Sequence, residues 1–159
     1  MQKFKELNKL GSLGRGKSKH RPRNDEMLFL NGKIPFIQTG DVKGANLFIY
    51  EPSSFYNEFG LKQSKLWPKG TLCITIAANI AETAILGIDA CFPDSIVGFI
   101  ANNNCLNQYV KYCFDYLKND YQKNSTGTSQ ENLNLEQLGK LLVPYKDLKT
   151  QRHIVDIMR

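Results

Sequence analysis

The chain has 159 residues, of which 42% are hydrophobic and 11% aromatic, which suits one globular domain with an ordinary buried core. No apolar run reaches the roughly 18 residues that a bilayer span needs, and "MQKFKELNKLG" lacks the apolar stretch of a signal peptide. We therefore expect a cytoplasmic protein with no membrane partner.

The net charge of +6 is unevenly distributed. Residues 1–23 hold eight Lys and Arg residues against one Glu, so this segment carries +7 and the remainder carries −1. A local positive field attracts polyanions, nucleic acid first and anionic membrane second. The alternative is a solvated basic tail, and composition alone leaves both interpretations open.

The first third of the chain predicts little regular structure. Residues 1–10 suit a strand or a short helix, and the glycine-rich residues 11–33 predict a long loop. Residues 33–42, "KIPFIQTGDV", predict a strand that ends in a Thr-Gly-Asp turn, with Pro35 at a strand start or a sheet edge. Ser53 and Ser54 predict the cap of a short helix over "SFYNEFG", which Gly60 ends.

The middle and last thirds give clearer patterns. "GTLCITI" and "ETAILGI" predict two strands joined by the turn "AANI", and "ACFPDSIVGFIA" predicts another strand with a bend at Pro93 and Asp94. Residues 105–120 predict a helix capped by Asn102 to Asn104, whose aromatic side chains belong to the core. A polar loop over 121–134 precedes a helical turn, the strand "LLVPY" and an amphipathic terminal helix. The class is α+β with a mixed or antiparallel sheet.

Catalytic and metal sites find little support in the residue pattern. Cys73, Cys91, Cys105 and Cys113 form no Cys-x-x-Cys pair and predict buried free thiols rather than a zinc site. The two histidines lie far apart in the sequence, so a nucleophile with a histidine base is not indicated. The carboxylates that a metal nuclease would need stand singly, and these are Asp41, Glu82, Asp89 and Asp94.

The segment "GSLGRGKS", residues 11–18, matches the spacing of a phosphate-binding loop, with Lys17 and Ser18 in place. The context argues against this function. No buried apolar strand precedes Gly11, and Pro22 prevents the helix whose N-terminal amides would hold a phosphate.

The basic stretch suits nucleic-acid binding better, because Arg and Lys bind phosphates and Arg also reads guanine. Polar groups at predicted strand ends would add contacts with base edges. The candidate DNA-binding residues are Arg15, Lys17, Lys19, His20, Arg21, Arg23, Gln38, Thr39 and Asn79. Asp41 is a weaker candidate, since capping its own turn is the commoner role.

Taken in order, the segments "LGSLGRGKSKHRPR", "IPFIQTGDV", "LWPKGTLCITIAANIAETAIL", "ACFPDSIVGF" and "STGTSQENLNLEQLGKLLVPYKDLKTQRHIV" cover roughly residues 8–158. Their order resembles a target recognition domain of the specificity subunit of type I restriction-modification systems. The resemblance has two departures. The usual Gly-Asn-Ile-Gly-Glu appears as residues 78–82, "ANIAE", so we expect no positive φ there. The usual Pro-x-Pro before the helix keeps only Pro144.

The resemblance implies a target recognition domain over 1–145, followed over 146–159 by the start of a long dimerisation and spacer helix. The implied protein is not an enzyme and reads half of a split site in double-stranded DNA. Modification and restriction subunits would be its partners. S-adenosylmethionine, Mg and ATP would bind only to those partners, and the domain itself would hold no cofactor.

The terminal helix would present an interface to a partner helix through one face, or would drive a homodimer. The residues of that face are Leu148, Gln151, Ile154, Val155 and Met158. The same face would alternatively pack on its own domain. The resemblance does not distinguish a type I complex from a single-chain restriction enzyme with a fused methyltransferase.

Two other functions stay open at this point. One is a small nuclease or phosphate-loop hydrolase that uses Lys17 and Ser18. The other is a non-specific nucleic-acid or membrane-surface binder that works through the basic N-terminal segment alone.

Overall fold

The computed structural model describes residues 1–126 and 133–159, without the side chains of 124–126. Its strands are β1 (Lys3–Glu6), β2 (Gly11–Arg15), β3 (Ile34–Phe36), β4 (Phe48–Ile49), β5 (Ser54–Tyr56), β6 (Leu66–Trp67), β7 (Leu72–Thr75), β8 (Thr83–Leu86), β9 (Ala90–Cys91), β10 (Ile96–Ala101) and β11 (Leu142–Tyr145). Its α-helices are α1 (Thr39–Gly44), α2 (Glu58–Lys62), α3 (Asn107–Thr126), α4 (Leu135–Gly139) and α5 (Leu148–Met158). Two 3-10 turns cover Leu7–Lys9 and Glu26–Leu28.

The main sheet has five strands in the order β2-β10-β7-β8-β4. All neighbours are antiparallel except β4 and β8, which are parallel. Every residue of β7 and β8 is buried, as their mostly apolar sequences predict. Helix α3 packs over this sheet and contributes Tyr109, Val110 and Phe114 to the main core.

A second sheet has the order β5-β3-β9-β6 and includes the parallel pair β3 and β9. Its small core contains the stacked rings of Phe36 and Tyr56, with centroids 4.2 Å apart. A separate two-stranded ribbon joins β1 to β11. The α+β class with mixed and antiparallel sheets is confirmed.

The predicted loop over 11–33 is wrong for its first five residues, which form β2 at the edge of the main sheet. Glycine serves close packing there. A Cβ on Gly14 would lie 2.9 Å from the Trp67 ring, and one on Gly11 would collide with the backbone of Ile100. The glycines therefore fit a strand beneath an aromatic ring, a long-range contact that local sequence does not reveal.

The region 51–65 also differs from prediction. Residues Ser54–Tyr56 form β5, and the helix that follows is capped by Asn57, whose side chain accepts from the amide of Gly60 at 2.9 Å. Gly60 thus lies inside α2 and does not end it. Pro35 lies within β3, an interior strand, where it pairs with Phe55.

The turn between β7 and β8 contradicts the expectation drawn from its alanines. Ala78 and Ala81 both have positive φ, 61° and 66°. The chain therefore adopts here a left-handed backbone that glycine favours, but with alanine side chains.

Helix α3 confirms the predicted helix over 105–120, but it begins at Asn107 and continues to Thr126. The predicted loop from Tyr121 is therefore helical up to Thr126, and its residues 127–132 lie outside the described residues. The side chain of Asn102 accepts from the amide of Asn104 in the turn before the helix, rather than capping the helix itself. All four cysteines are buried free thiols, as predicted.

Candidate nucleic-acid interface

Three segments meet at one end of the main sheet. Arg15, the last residue of β2, pairs with Val97 near the start of β10, and Ile96 pairs with Thr75 at the end of β7. The segment 16–25, which we name the basic loop, therefore leaves the sheet at the same end as the β7–β8 turn. The bend that precedes β10 lies there too.

The basic loop is fixed to its neighbours by main-chain hydrogen bonds. The amides of Gly16 and Lys17 donate to the carbonyl oxygens of Ile96 and Phe92, both at 2.8 Å. The Ser64 hydroxyl donates to the Lys17 carbonyl oxygen at 2.6 Å. These bonds give the loop a defined path across the end of the sheet.

The other half of the loop is held by α2 and by its own arginine. The amide of His20 donates to Oε1 of Gln63, the residue after α2, at 3.0 Å. The Arg21 guanidinium donates to the carbonyl oxygens of Ser18 at 2.7 Å and His20 at 3.0 Å. Arg21, a predicted DNA contact, thus uses at least one nitrogen to hold the loop.

His20 and Asp25 form a polar pair at the end of the loop. His20 Nε2 lies 2.7 Å from Asp25 Oδ2, and the His20 ring meets the Phe59 ring edge-on with centroids 5.3 Å apart. Asp25 also caps the following 3-10 turn by accepting from the amide of Met27 at 3.0 Å. That amide hydrogen bond first, and His20 second, lower the pKa of the Asp25 carboxyl.

Arg15 and Arg23 both contact Asp94, in the bend before β10. Nη2 of Arg23 lies 3.0 Å from Oδ1 of Asp94. Nε of Arg15 donates to the main-chain carbonyl oxygen of Asp94 at 3.3 Å. Two of the predicted arginines are thereby brought together.

Lys17 and Lys19 complete the positive surface. Over residues 1–126 and 133–159, neither ammonium group has a hydrogen-bond or ion-pair partner. The amide of Lys19 donates to the Gln63 carbonyl oxygen at 3.2 Å, so only its side chain is uncommitted. Unpaired lysines on an ordered loop are available to neutralise phosphates.

The phosphate-loop match fails in three dimensions. Gly11–Arg15 is a strand, Ser18 is only 6% exposed, and the next element along the chain is the 3-10 turn Glu26–Leu28. No helix therefore follows Ser18 to supply its N-terminal amides to a phosphate.

Gln38 and Thr39 lie where β3 passes into α1. The Gln38 side chain is exposed and lines a recess together with Arg23 and Asn24. Oδ2 of Asp41 accepts from the amide of Gln38 at 2.9 Å and from the Ser53 hydroxyl at 2.8 Å. The predicted strand over 33–42 thus ends at Phe36, and the Thr-Gly-Asp segment is the first turn of α1. Asp41 caps that helix, so its capping role is a helical one.

Asn79 is exposed in the β7–β8 turn, whose backbone is anchored on both sides. The Thr75 hydroxyl donates to the Asn79 carbonyl oxygen. From α3, Gln122 Nε2 donates to the carbonyl oxygen of Ile80 at 2.9 Å, and Lys118 forms an ion pair with Glu82. The turn presents the Asn79 side chain at the same end of the sheet as the arginines.

The residues predicted to form one interface face of the terminal helix differ in burial. Gln151 is 1% exposed, and it accepts from the amide of Leu106 at 2.9 Å and donates to the carbonyl oxygens of Asn104 and Lys146. Val155 is also buried, so both residues pack on their own domain. Leu148 and Ile154 are half-buried, and Met158 is exposed.

Sequence reasoning missed two side chains beside this surface. The sequence places Asp94 in a bend and among the isolated carboxylates, whereas its position between two arginines depends on the pairing of β2 with β10. Lys65 lies over the Trp67 ring, 4.0 Å from its centroid, and the spacing Lys-x-Trp, which begins just before β6, was the signal available.

Neither a metal-binding cluster nor a membrane-spanning helix occurs in the described part of the chain. No group of three or more His, Cys, Asp or Glu side chains could hold a metal ion there. No helix among those residues has the length and apolarity to span a bilayer.

Comparison with known proteins gives a consistent result. The family model "Type I restriction modification DNA specificity domain" matches residues 3–159. The fold is similar to that of the HsdS subunit from Thermoanaerobacter tengcongensis, with TM-score 0.73 and 16% identity over 99% of this chain and 36% of that one. The type I restriction-modification S subunit from M. genitalium gives TM-score 0.74 and 18% identity over 98% and 37%.

The type IIG restriction endonuclease BpuSI also matches, with TM-score 0.71 and 12% identity over 98% of this chain and 26% of that one. This chain thus spans little more than a third of the specificity subunits it resembles. At these identities the structures show a common fold, and the family model covers nearly the whole sequence. The chain belongs to the family of type I restriction-modification DNA specificity domains.

Proposed function

We propose that this domain recognises a short sequence in double-stranded DNA with the end of the main sheet that carries the basic loop. In this proposal it supplies one of the two recognition domains of a specificity subunit, and so reads one half of a split site. The observation that carries the proposal is the joint placement at that end of Arg15, which ends β2, and of three cations on the ordered basic loop, Lys17, Lys19 and Arg23.

The proposed residues divide into three groups. Lys17 and Lys19, whose ammonium groups are uncommitted, neutralise phosphates and position the domain on the duplex. Arg23 and Gln38, which line one recess, and Asn79, in the hairpin turn, face base edges in the groove. His20 and Arg21 shape the loop and add contacts at its margin, and Thr39 lies next to Gln38.

The domain performs no chemical step in this proposal. Modification subunits hold S-adenosylmethionine and transfer the methyl group, and a restriction subunit with Mg and ATP cleaves, so the reader directs chemistry that its partners perform. The complex would act on cytoplasmic DNA. Such partners fit a domain whose fold resembles subunits of multi-subunit complexes.

Helix α5 would contribute the contact with a partner helix. Ile157 and Met158 are 65% and 55% exposed, while Gln151 and Val155 are occupied within the domain. The contact would therefore centre on the exposed apolar residues near the end of α5, together with the accessible parts of Leu148 and Ile154. A second copy of the chain is one candidate partner. The molecular mass of the protein in solution tests whether it forms this homodimer.

The deciding experiment is selection from a random duplex DNA library at near-physiological salt, with and without the modification subunit. We expect enrichment of a few contiguous base pairs. Salt-sensitive binding without any enriched sequence, with the partner present, would mean that the basic loop is only an electrostatic anchor. Cleavage of DNA by the chain alone with Mg would contradict the non-catalytic assignment.

A further inference from the structure

We infer that Asp94 is a positioning residue for base recognition, because its carboxylate holds the Arg23 guanidinium ready for a base edge. This inference rests on the proposed function and adds to it a residue that fixes specificity. It concerns an acidic side chain on a surface that otherwise attracts a polyanion.

The geometry joins the bend before β10 to two arginines near the start of the chain. Asp94 lies in the bend between β9 and β10, and its Oδ1 atom lies 3.0 Å from Nη2 of Arg23 in the basic loop. Its main-chain carbonyl oxygen accepts from Nε of Arg15, at the end of β2, at 3.3 Å. Asp94 thus contacts two arginines, through its side chain in one case and through its backbone in the other.

The ion pair between Arg23 and Asp94 contributes little to the stability of the fold. The side chains of Arg23 and Asp94 are 45% and 47% exposed, and exposed ion pairs contribute little to stability. Asp94 makes no other side-chain hydrogen bond within the described residues, so it caps no turn. A structural requirement does not explain an acid at this position.

A requirement for affinity does not explain it either. A carboxylate beside Arg23 repels DNA phosphates and reduces the attraction that the loop exerts on any sequence. A guanidinium that reads guanine, however, must present its donors to O6 and N7 in a fixed plane. One Arg23 nitrogen bonds Asp94, and the other guanidinium nitrogens have no partner over the described ranges.

The surroundings of Arg23 fit a recognition site. Gln38 and Asn24 line the same recess, so two amide side chains stand beside the held guanidinium. Amides and a fixed guanidinium are the groups that read adenine and guanine in the major groove. Orienting Arg23 before binding also reduces the side-chain entropy that DNA binding removes.

Asp94→Asn distinguishes a carboxylate that positions Arg23 from one that only competes with DNA phosphates. A positioning carboxylate predicts a loss of about ten-fold in preference at one base-pair position, with non-cognate DNA bound as tightly as before or more tightly. A carboxylate that merely competes with phosphates predicts tighter binding to every sequence and an unchanged preference. The substitution keeps the main-chain carbonyl that Arg15 contacts, so that hydrogen bond should not change.

The test applies the duplex selection to the chain with its modification subunit. The variants are Asp94→Asn, Arg23→Ala and their combination. Glu136→Gln is the matched control, since it also removes one exposed carboxylate with a basic partner, Lys140, but on α4. We expect both single variants to relax the same base-pair position, the combination to relax it no further, and the control to match the wild type.

Unchanged base preference in Asp94→Asn, with the wild-type motif present, would overturn the inference and leave the proposed function standing. Relaxation at many positions, accompanied by a lower melting temperature, would also overturn it, because it would indicate a structural role. A wild-type protein that selects no motif would overturn the proposed function and this inference together.

Discussion

Thr75 and Glu82 are joined by main-chain and side-chain hydrogen bonds across the base of the β7–β8 turn. The amide of Thr75 donates to the carbonyl oxygen of Glu82 at 2.9 Å, and the amide of Glu82 donates to the Thr75 hydroxyl at 3.0 Å. The same hydroxyl donates to the carbonyl oxygen of Asn79. One fully buried side chain therefore closes the turn that presents Asn79.

Replacing Thr75 with valine should destabilise the protein by about 1–3 kcal/mol, because the Glu82 amide and the Asn79 carbonyl lose their hydroxyl partner at nearly constant side-chain volume. Chemical denaturation measures this change. Thr83→Val is the matched control, since the buried Thr83 hydroxyl has no partner in the described structure and its removal should cost nothing. Equal effects of the two substitutions would contradict the assigned role of Thr75.

Ala78→Gly should stabilise the protein by about 1 kcal/mol, because glycine adopts the φ of 61° without the Cβ penalty. Ala78 is exposed, so almost no buried methyl surface is removed. Ala81→Gly should be close to neutral, since Ala81 is 1% exposed and removing its methyl costs about 0.8 kcal/mol of burial. Thermal unfolding of both variants should give the higher melting temperature to Ala78→Gly. A lower melting temperature for Ala78→Gly than for the wild type would contradict this prediction.

These two alanines illustrate what sequence could not predict. Alanine in place of glycine argues locally against a left-handed backbone, but the hydrogen bonds from Thr75 and α3 impose that backbone from outside the turn. The same holds for β2, whose glycines indicated a loop until Trp67 and β10 supplied its packing partners. By contrast, β7, β8 and α3 were predicted because their own apolar patterns match their burial.

The candidate site could be predicted from sequence only in its charge. The positive charge of residues 1–23 pointed to the basic loop directly, because charge is a property of composition. Which arginine shapes the loop and which faces outward depends on the position of Ser18, His20 and Asp94. Those positions follow from strand pairing and from the hydrogen bond to Gln63, and spacing in the sequence does not reveal them.

Replacing Lys17 and Lys19 together with alanine should weaken DNA binding by a similar factor for every sequence. The slope of log affinity against log salt should become shallower by about 0.9 for each phosphate that is no longer neutralised. Salt titrations of cognate and unrelated duplexes measure both effects. Lys149→Ala, an exposed lysine on α5, is the control, and a sequence-dependent loss of affinity would show that the two lysines read bases instead.

The thiols of Cys105 and Cys113 should resist alkylation at neutral pH in the folded protein. Burial raises the pKa of each to about 11, so the reactive thiolate is scarce. Burial also raises the pKa of Cys73 and Cys91. Thiol titration should detect none of the four before denaturant is added and all four afterwards, and rapid labelling of the native chain would contradict the packing.

Asp147 should stabilise α5 at neutral pH and lose this effect in acid. Its side chain accepts from the amide of Thr150 at 2.8 Å, and that hydrogen bond is the main cause of its lowered pKa. Because the folded pKa is lower than the unfolded one, the contribution is present above the ordinary carboxyl pKa and disappears as pH falls below about 4. Asp147→Asn should therefore lower the melting temperature at pH 7 and match the wild type in acid. The control variant, Asp156→Asn, should have the melting temperature of the wild type at both pH values.

The ribbon of β1 and β11 pairs Lys3 with Tyr145 and Glu6 with Leu142, and the amide of Leu7 then donates to the Leu141 carbonyl oxygen at 2.9 Å. The chain from Leu7 to Leu141 therefore starts and ends at the same two-stranded ribbon. Grafting residues 7–141 into another protein should transfer the whole proposed DNA-binding surface, because every residue proposed for that surface lies within this segment.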